Sequence, residues 1–330
     1  MSFSNTFDTT NTGSAVSNRE DLTDVLTILA PEETPILSSA NKERASATVV
    51  EWTVDTLSAP QTAGISEGAD VTSFTDKFAG RAKLNNRIQK FRRDYMVSDL
   101  QEAVDSVGPA KIAQAEAKAI REIKRDIEAT LAGTQVSATE DGAGTANALR
   151  GLGSWLDGAT AGVPSDFLTP GTSIYSTASA FSETDLNSII SSIFRVTGST
   201  NSLMLVADTG LRAVIADFAR TTTSATDNVR TVNYDGNSGT IKLSVELYES
   251  DHGVVSIVNA NPDCMPAVVG GNANGRGYLV NPEYYGVHEL IPMGSTRLPN
   301  LGGGERGFVD CALTLGVYHP GAHGNITRIS

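Results

Sequence analysis

The chain has 330 residues, 40% of them hydrophobic, enough to fill one large core or two smaller ones and too many for a disordered chain. Thirty-eight acids against 25 bases give a net charge of -13, which repels phosphate backbones and argues against a dedicated nucleic-acid binder. No run reaches the roughly 18 to 20 apolar residues of a membrane span, and the start MSFSNTFDTT lacks a secretion signal, so synthesis in the cytosol is expected.

Residues 1 to 16 are rich in Ser, Thr and Asn without period and read as a mobile arm. In REDLTDVLTILAPEETPILSSA, Ser17 and Glu20 stand at capping-box spacing, and Leu22, Val25, Leu26 and Leu29 recur at i, i+3, i+4 and i+7. The spacing predicts a short amphipathic helix stopped at Pro31. Pro35 then predicts an extended exit through Ile36 and Leu37, an apolar peg.

SATVVEWTVDTL (46 to 57) alternates, with Val50, Trp52 and Val54 on one face and Glu51, Thr53 and Asp55 on the other. Its expected partner is 81 to 97, where Leu84 and Ile88 share a face and Phe91, Tyr95 and Val97 take the opposite parity. Such a switch predicts a bulge or sharp twist between Ile88 and Phe91 in a long hairpin. Residues 58 to 80, which join the two strands, are too many for an ordinary turn and are expected to project as a loose tip.

Seven basic residues and no acid lie between Lys77 and Arg93: Lys77, Arg81, Lys83, Arg87, Lys90, Arg92 and Arg93. With Phe91 and Tyr95 interleaved they have the makings of a nucleic-acid platform. The acidity of the whole chain favours instead a protein partner, and the acids of the first forty residues suggest self-association.

GPAKIAQAEAKAIREIKRDIEATLAG predicts a helix from Pro109 to Gly133, with a stripe of Ile112, Ile120, Ile123, Ile127 and Leu131. Lys118/Glu122 and Lys124/Glu128 are expected as i,i+4 pairs on its solvated flank. About 24 residues at about 1.5 Å each make a rod of roughly 36 Å. Residues 134 to 172 read as loops and short elements anchored by Trp155 and Leu156.

A helix follows at 182 to 198, capped by Ser182, ended by Gly198 and apolar at Leu186, Ile189, Ile190 and Ile193. After it come a buried strand at 201 to 208, a helix at 209 to 220, a turn at Asp235-Gly236-Asn237, and strands in HGVVSIVNA and GRGYLVN. Two more strands, broken at Pro320-Gly321, are expected in the last segment.

Chemistry is sparse. GNANGRG and GGGER do not stand between strand and helix as a phosphate loop requires. His319 and His323 are four apart, but Pro320 and Gly321 forbid the helix that would converge them on a metal. Cys264 and Cys311 suggest neither a disulfide framework nor a metal knuckle. No nucleophile elbow occurs, so no enzyme, cofactor or metal is expected.

The order of arm, long hairpin with loose tip, rod helix, α+β domain and returning strands resembles the Hong Kong 97-type capsid fold. REDLTDVLTILAPEETPILSS, SEGADVTSFT, FRRDYMVSDLQEAVDSVG, EIKRDIEATLAG and AHGNIT resemble, in that order, signatures of a major head protein family of tailed bacteriophages. They lie in the first 135 residues and the last ten; the centre matches in pattern only.

The resemblance implies an N-arm (1 to 45), an E-loop hairpin (46 to 98), a peripheral domain with a spine helix (99 to 164 and 291 to 330) and an axial domain (165 to 290). It implies self-assembly into pentamers and hexamers of an icosahedral head enclosing double-stranded DNA without specific binding. Contacts between copies are then expected at Leu22, Val25, Leu26, Leu29, Ile36, Leu37 and the basic set Arg81, Lys83, Arg87, Lys90, Arg92 and Arg93. With no long helical pre-segment, a separate scaffolding protein is expected, beside a portal and decoration proteins. An encapsulin-like nanocompartment is the alternative.

Overall fold

The computed structural model describes residues 33–104, 111–177, 181–198, 202–218, 246–266 and 276–327. The expected helix bearing Leu22, Val25, Leu26 and Leu29, the Pro109 start and the turn at 235 to 237 lie outside the described residues.

The described chain opens with helix α1 (Pro35–Ser39) and edge strand β1 (Asn41–Arg44). The expectation of an extended peg is corrected here. Pro35 stands at the first helical position, where its missing N–H costs nothing and its fixed φ suits the helix. Strands β2 (Val49–Val54) and β3 (Ala82–Arg87) then pair antiparallel, from Val49 opposite Arg87 to Val54 opposite Ala82.

The expected hairpin ends there. At Ile88 the chain leaves β2, and β4 (Gln89–Val97) joins a different sheet. The parity switch seen in the sequence is this change of sheet rather than a bulge within one hairpin. Leu84, Phe91 and Tyr95 serve the main core, while Ile88 turns to a small cluster with Ala45 and Ala312.

After the short helix α2 (Asp99–Ala103) comes α3 (Lys111–Ala132), about 33 Å at 1.5 Å per residue. Ile123, Ile127 and Leu131 recur every four residues on its inner face and are fully buried. They pack with Phe91 and Tyr95 of β4 and with Val309, Cys311 and Leu313 of β11 (Glu305–Val317). Lys118 pairs with Glu122 at 3.8 Å as expected. Glu128 does not pair with Lys124 on a solvated flank; it is 2% exposed and faces α1.

The sheet beneath α3 runs β1-β10-β11-β4, with β10 spanning Tyr285–Leu298. Sequence reading misses β10 because Pro292 interrupts it, and because its register slips between Glu289 and Ile291 and again between Ile291 and Gly294. Pro is tolerated at such irregularities, where no ladder bond is required of it.

A second sheet runs β5-β12-β9-β6-β8-β7: β5 (Ile174–Tyr175), β6 (Leu203–Ala207), β7 (Leu247–Ser250), β8 (Gly253–Asn259), β9 (Gly277–Val280) and β12 (Gly324–Ile326). Alternation in β6 and β9 serves two cores. Met204, Val206, Tyr278 and Val280 face the core around α3 and the short helix α4 (Leu152–Trp155). Leu203, Leu205, Ala207 and Leu279 face helix α5 (Glu183–Thr197), together with Leu211 and Ile215 of helix α6 (Thr209–Phe218). The α5 caps are those read from sequence: Ser182 and Asp185 complete a capping box, and Gly198 closes the helix at φ 70°.

Buried polar groups stitch the layers together. Tyr278 donates its hydroxyl to the Ala132 carbonyl at 2.7 Å, and Asn325 donates to that of Leu156. His323 accepts the Asn281 N–H on Nδ1 at 3.1 Å, which leaves Nε2 to face the Tyr284 carbonyl. Complete burial pushes this imidazole down to about 4. The neutral ring therefore contributes fully above 6.5, and the contribution is lost as pH falls from 6.5 toward 4, on the order of 3 kcal/mol.

Glu128 works the other way. Its carboxyl is pushed up to about 7, so the fold gains stability as pH falls from 7 toward 4.5. A variant is therefore needed to isolate the histidine. His323→Gln should be markedly less stable than the wild type in denaturant titrations at pH 7, and that gap should shrink by at least half at pH 4.5.

Candidate intersubunit surface

The β2/β3 hairpin is fastened at its base. Asn86 is fully buried; its amide donates to the carbonyls of Leu315 at 2.7 Å and Arg150 at 3.1 Å, and its oxygen accepts the Arg150 N–H at 2.8 Å. Trp52 lies 5.7 Å from Trp155 and edge-on to Tyr318 at 6.1 Å, with the Arg150 guanidinium over Trp155. Val54 and Leu84 complete the seat. Above the base, Glu51 pairs with Lys83 across the strands and Asp55 with Arg81 at 2.8 Å, stiffening the ribbon up to its tip.

The tip itself is bare. Leu57, Ile65, Val71, Phe74 and Phe78 lie between the two strands, and Phe74 is 92% exposed. Burial of each such side chain is worth roughly 1.5 to 3 kcal/mol before the cost of ordering the loop. These apolar groups are scattered without period, so spacing does not mark them in the sequence.

A second apolar patch caps the far end of the four-stranded sheet: Met96, Leu100, Leu298 and Leu301 are exposed around the glycine loop 302 to 304. Gly304 has φ +123°, and a Cβ there would meet the Val97 carbonyl oxygen at 2.1 Å, so no other residue fits.

The basic set expected to form one face is divided. Arg81 and Lys83 are engaged on the hairpin, and Lys90 pairs with Asp310 at 3.0 Å across β4 and β11. Arg93 lies on the α3 side of β4 and binds Asp126 through two hydrogen bonds of 2.6 and 2.7 Å, which raise its pKa further. Arg92 lies on the opposite side, near the Phe308 ring. Arg87 is half-buried at the hairpin base, its backbone N–H donating to Asn86. Two sheets and two faces thus replace the single basic surface, and four of the six cations already have acidic partners in their own chain.

Ile36 is also corrected as a contact between copies: it is fully buried within its own chain, and Leu37 packs beside it. The cysteines are equally internal; burial pushes the Cys264 thiol up to about 11 and Cys311 up to about 12, so both stay protonated at neutral pH. His319 accepts the Gly321 N–H in a tight turn, and His323 is committed as above. Among the described residues, no group of three His, Cys, Asp or Glu side chains is disposed to hold a metal ion.

Two packed sheets behind a long helix, with a hairpin braced by ion pairs and bearing uncovered apolar groups, define a shell-building subunit of the Hong Kong 97 type. The chain belongs to the SU10 major capsid protein family, whose profile matches residues 4–330. It is therefore a major capsid protein of the tailed-bacteriophage class.

Solved structures similar to it include the capsid of an empty GTA particle, with TM-score 0.62 and 11% identity over 98% of this chain and 99% of that one. The capsid of cyanophage P-SCSP1u gives TM-score 0.56 and 14% identity over 96% and 94%. The SrpI encapsulin of Synechococcus elongatus PCC 7942 gives 0.55 and 11% over 96% and 94%. No curated protein matches the sequence.

Replacing Asn86 with Leu would remove the side-chain partner of four backbone groups, the buried Leu315 carbonyl and the part-buried Arg150 carbonyl, Arg150 N–H and Arg87 N–H, at about 1 to 3 kcal/mol for each left unsatisfied. Asn86→Leu should lower the melting temperature of the subunit by several degrees and increase protease cutting between residues 55 and 81.

Proposed function

We propose that copies of this chain associate into pentamers and hexamers of an icosahedral virion head that encloses double-stranded DNA, and that the hairpin tip supplies the contact between neighbours. The observation that carries this reading is the bare tip, whose five large apolar side chains its own body leaves uncovered. The protein acts mechanically and not as an enzyme. It is made in the cytoplasm of a bacterial host and works with a separate scaffolding protein and a portal.

In this reading residues 1 to 45 are the arm, 46 to 98 the E-loop, 99 to 164 with 291 to 330 the peripheral domain, and 165 to 290 the axial domain. The existence of two sheets supports the division, although four strands cross it: β1 of the arm and β4 of the E-loop pair with β10 and β11 in the four-stranded sheet, β10 itself spans the boundary at 290, and β12 pairs with β5 and β9 in the six-stranded sheet. The net charge of -13 suits a wall that leaves packed DNA free to move. An encapsulin shares the fold, but the family match across the chain favours the virion shell.

Phe74→Asp tests the reading. The isolated subunit should melt within about 2 °C of the wild type, because an exposed residue contributes little to the fold, while particle yield by sedimentation should fall at least tenfold. Unchanged yield would refute the assignment of the tip. Charge reversals should divide as the structure divides the residues. Arg93→Glu should weaken the subunit itself through Asp126, whereas Arg87→Glu with Arg92→Glu should leave the subunit folded and affect assembly alone.

A further inference from the structure

The four-stranded sheet is covered on one face and half bare on the other. Phe91 and Tyr95 of β4, opposite Cys311 and Gly307 of β11, point to the side that α3 covers. The residues between them point away from it. On that second face the hairpin base packs at one end, where Ile88 meets Ala312. Beyond this contact, among the described residues, the strands lie open. Met96, Leu298 and Ile291 are exposed there, and Phe308 is half-buried between Asp94 and Thr296. A Cβ at Gly294 would meet nothing nearer than the Pro292 carbonyl oxygen at 4.0 Å, apart from its chain neighbours, so a shallow trough runs down the middle.

The solvated face of an antiparallel sheet is ordinarily polar, and apolar side chains in such a place mark a contact surface. The charge on this face is also unlike that of the chain. Lys90, Arg92 and Arg306 outnumber Asp94 and Asp310, and Lys90 already pairs with Asp310 at 3.0 Å. Cations prevail here in a protein of net charge -13.

We propose that the trough receives residues 19 to 29 of a second copy, with Leu22, Val25, Leu26 and Leu29 on its apolar floor and Glu20, Asp21 and Asp24 toward its cations. The inference deepens the assembly reading and rests on it.

Charge, length and reach select this occupant. Residues 17 to 33 carry five acids against Arg19 alone, the complement of a cationic face. From Lys90 to Met96 the trough runs about 20 Å at 3.3 Å per residue, and residues 19 to 29, helical by their spacing, cover about 16 Å. The subunit's own arm falls short. Its root is held on the α3 side of the sheet, where Glu128 accepts the Ile36 N–H and Ser39 bonds to Tyr285, which stands opposite Val317. Phe308 lies nine residues along β11 from Val317, about 30 Å away. Four extended residues before Glu33 and seven helical ones carry Leu22 no further than about 25 Å, with the sheet between.

A zero-length carbodiimide, which joins lysine amines to carboxyls in contact, tests the inference in wild-type particles assembled from equal amounts of 15N-labelled and unlabelled chain. Links between Lys90 and Asp310 of one copy show that the reagent reaches the site. Links from Lys90 to Glu20, Asp21 or Asp24 should appear beside them, with labelled and unlabelled peptides mixed at random. Gly294→Trp fills the trough from a position with free space, so the variant should fold and melt as the wild type does while these links fall at least fivefold. Unchanged links in the folded variant overturn the inference. In wild-type particles it is overturned, whether or not the variant folds, by isotopically unmixed arm links, by links from Lys90 to Glu67, Asp70 or Asp76 of the tip, or by Lys90–Asp310 links alone. Each of these leaves the assembly reading standing, whereas a chain that never associates overturns both.

Discussion

Everything else in the subunit depends on the inner face of α3. Ile123, Ile127 and Leu131 are spaced so that one helical stripe backs both β4 and β11. At roughly 1.5 to 3 kcal/mol for each side chain buried, this contact is comparable with the whole net stability of a domain. The antiparallel β10/β11 ladder continues this sheet, and Asn86 hangs the hairpin from β11. The second sheet leans on the same core through Tyr278, whose hydroxyl reaches the last turn of α3.

A rigid body of this kind makes the bare tip meaningful. The hairpin is not loosely attached: two tryptophans and a three-bond asparagine hold its base, and ion pairs stiffen its length. Stiffness lowers the entropy cost of presenting the tip to a neighbour. Apolar groups on the end of a braced projection thus favour association between copies, where the same groups on a compact body would invite unspecific clumping.

Regular periodicity made some of this legible in the sequence. The α5 caps, the α3 stripe, the alternation of β2 and the reversal of parity after Ile88 could all be read from spacing. What spacing cannot convey is which neighbour a residue meets. Glu128 follows the pattern of a solvated flank, yet α1 folds over it. The seven cations look like one surface, yet a change of sheet at Ile88 sends them to different places. Pro35 reads as a helix breaker until its position at the first turn is known, and β10 hides behind Pro292 and two register slips. Family resemblance found the fold where local pattern stopped.

The central claim is that this subunit leaves apolar surface uncovered because other copies cover it. An electron cryomicroscopy map of the assembled particle tests this most directly. Residues 57 to 78 of each subunit should lie against the body of a neighbour, with Phe74 excluded from solvent. Tips standing free in solvent, or folded back on their own subunits in the finished shell, would contradict the account.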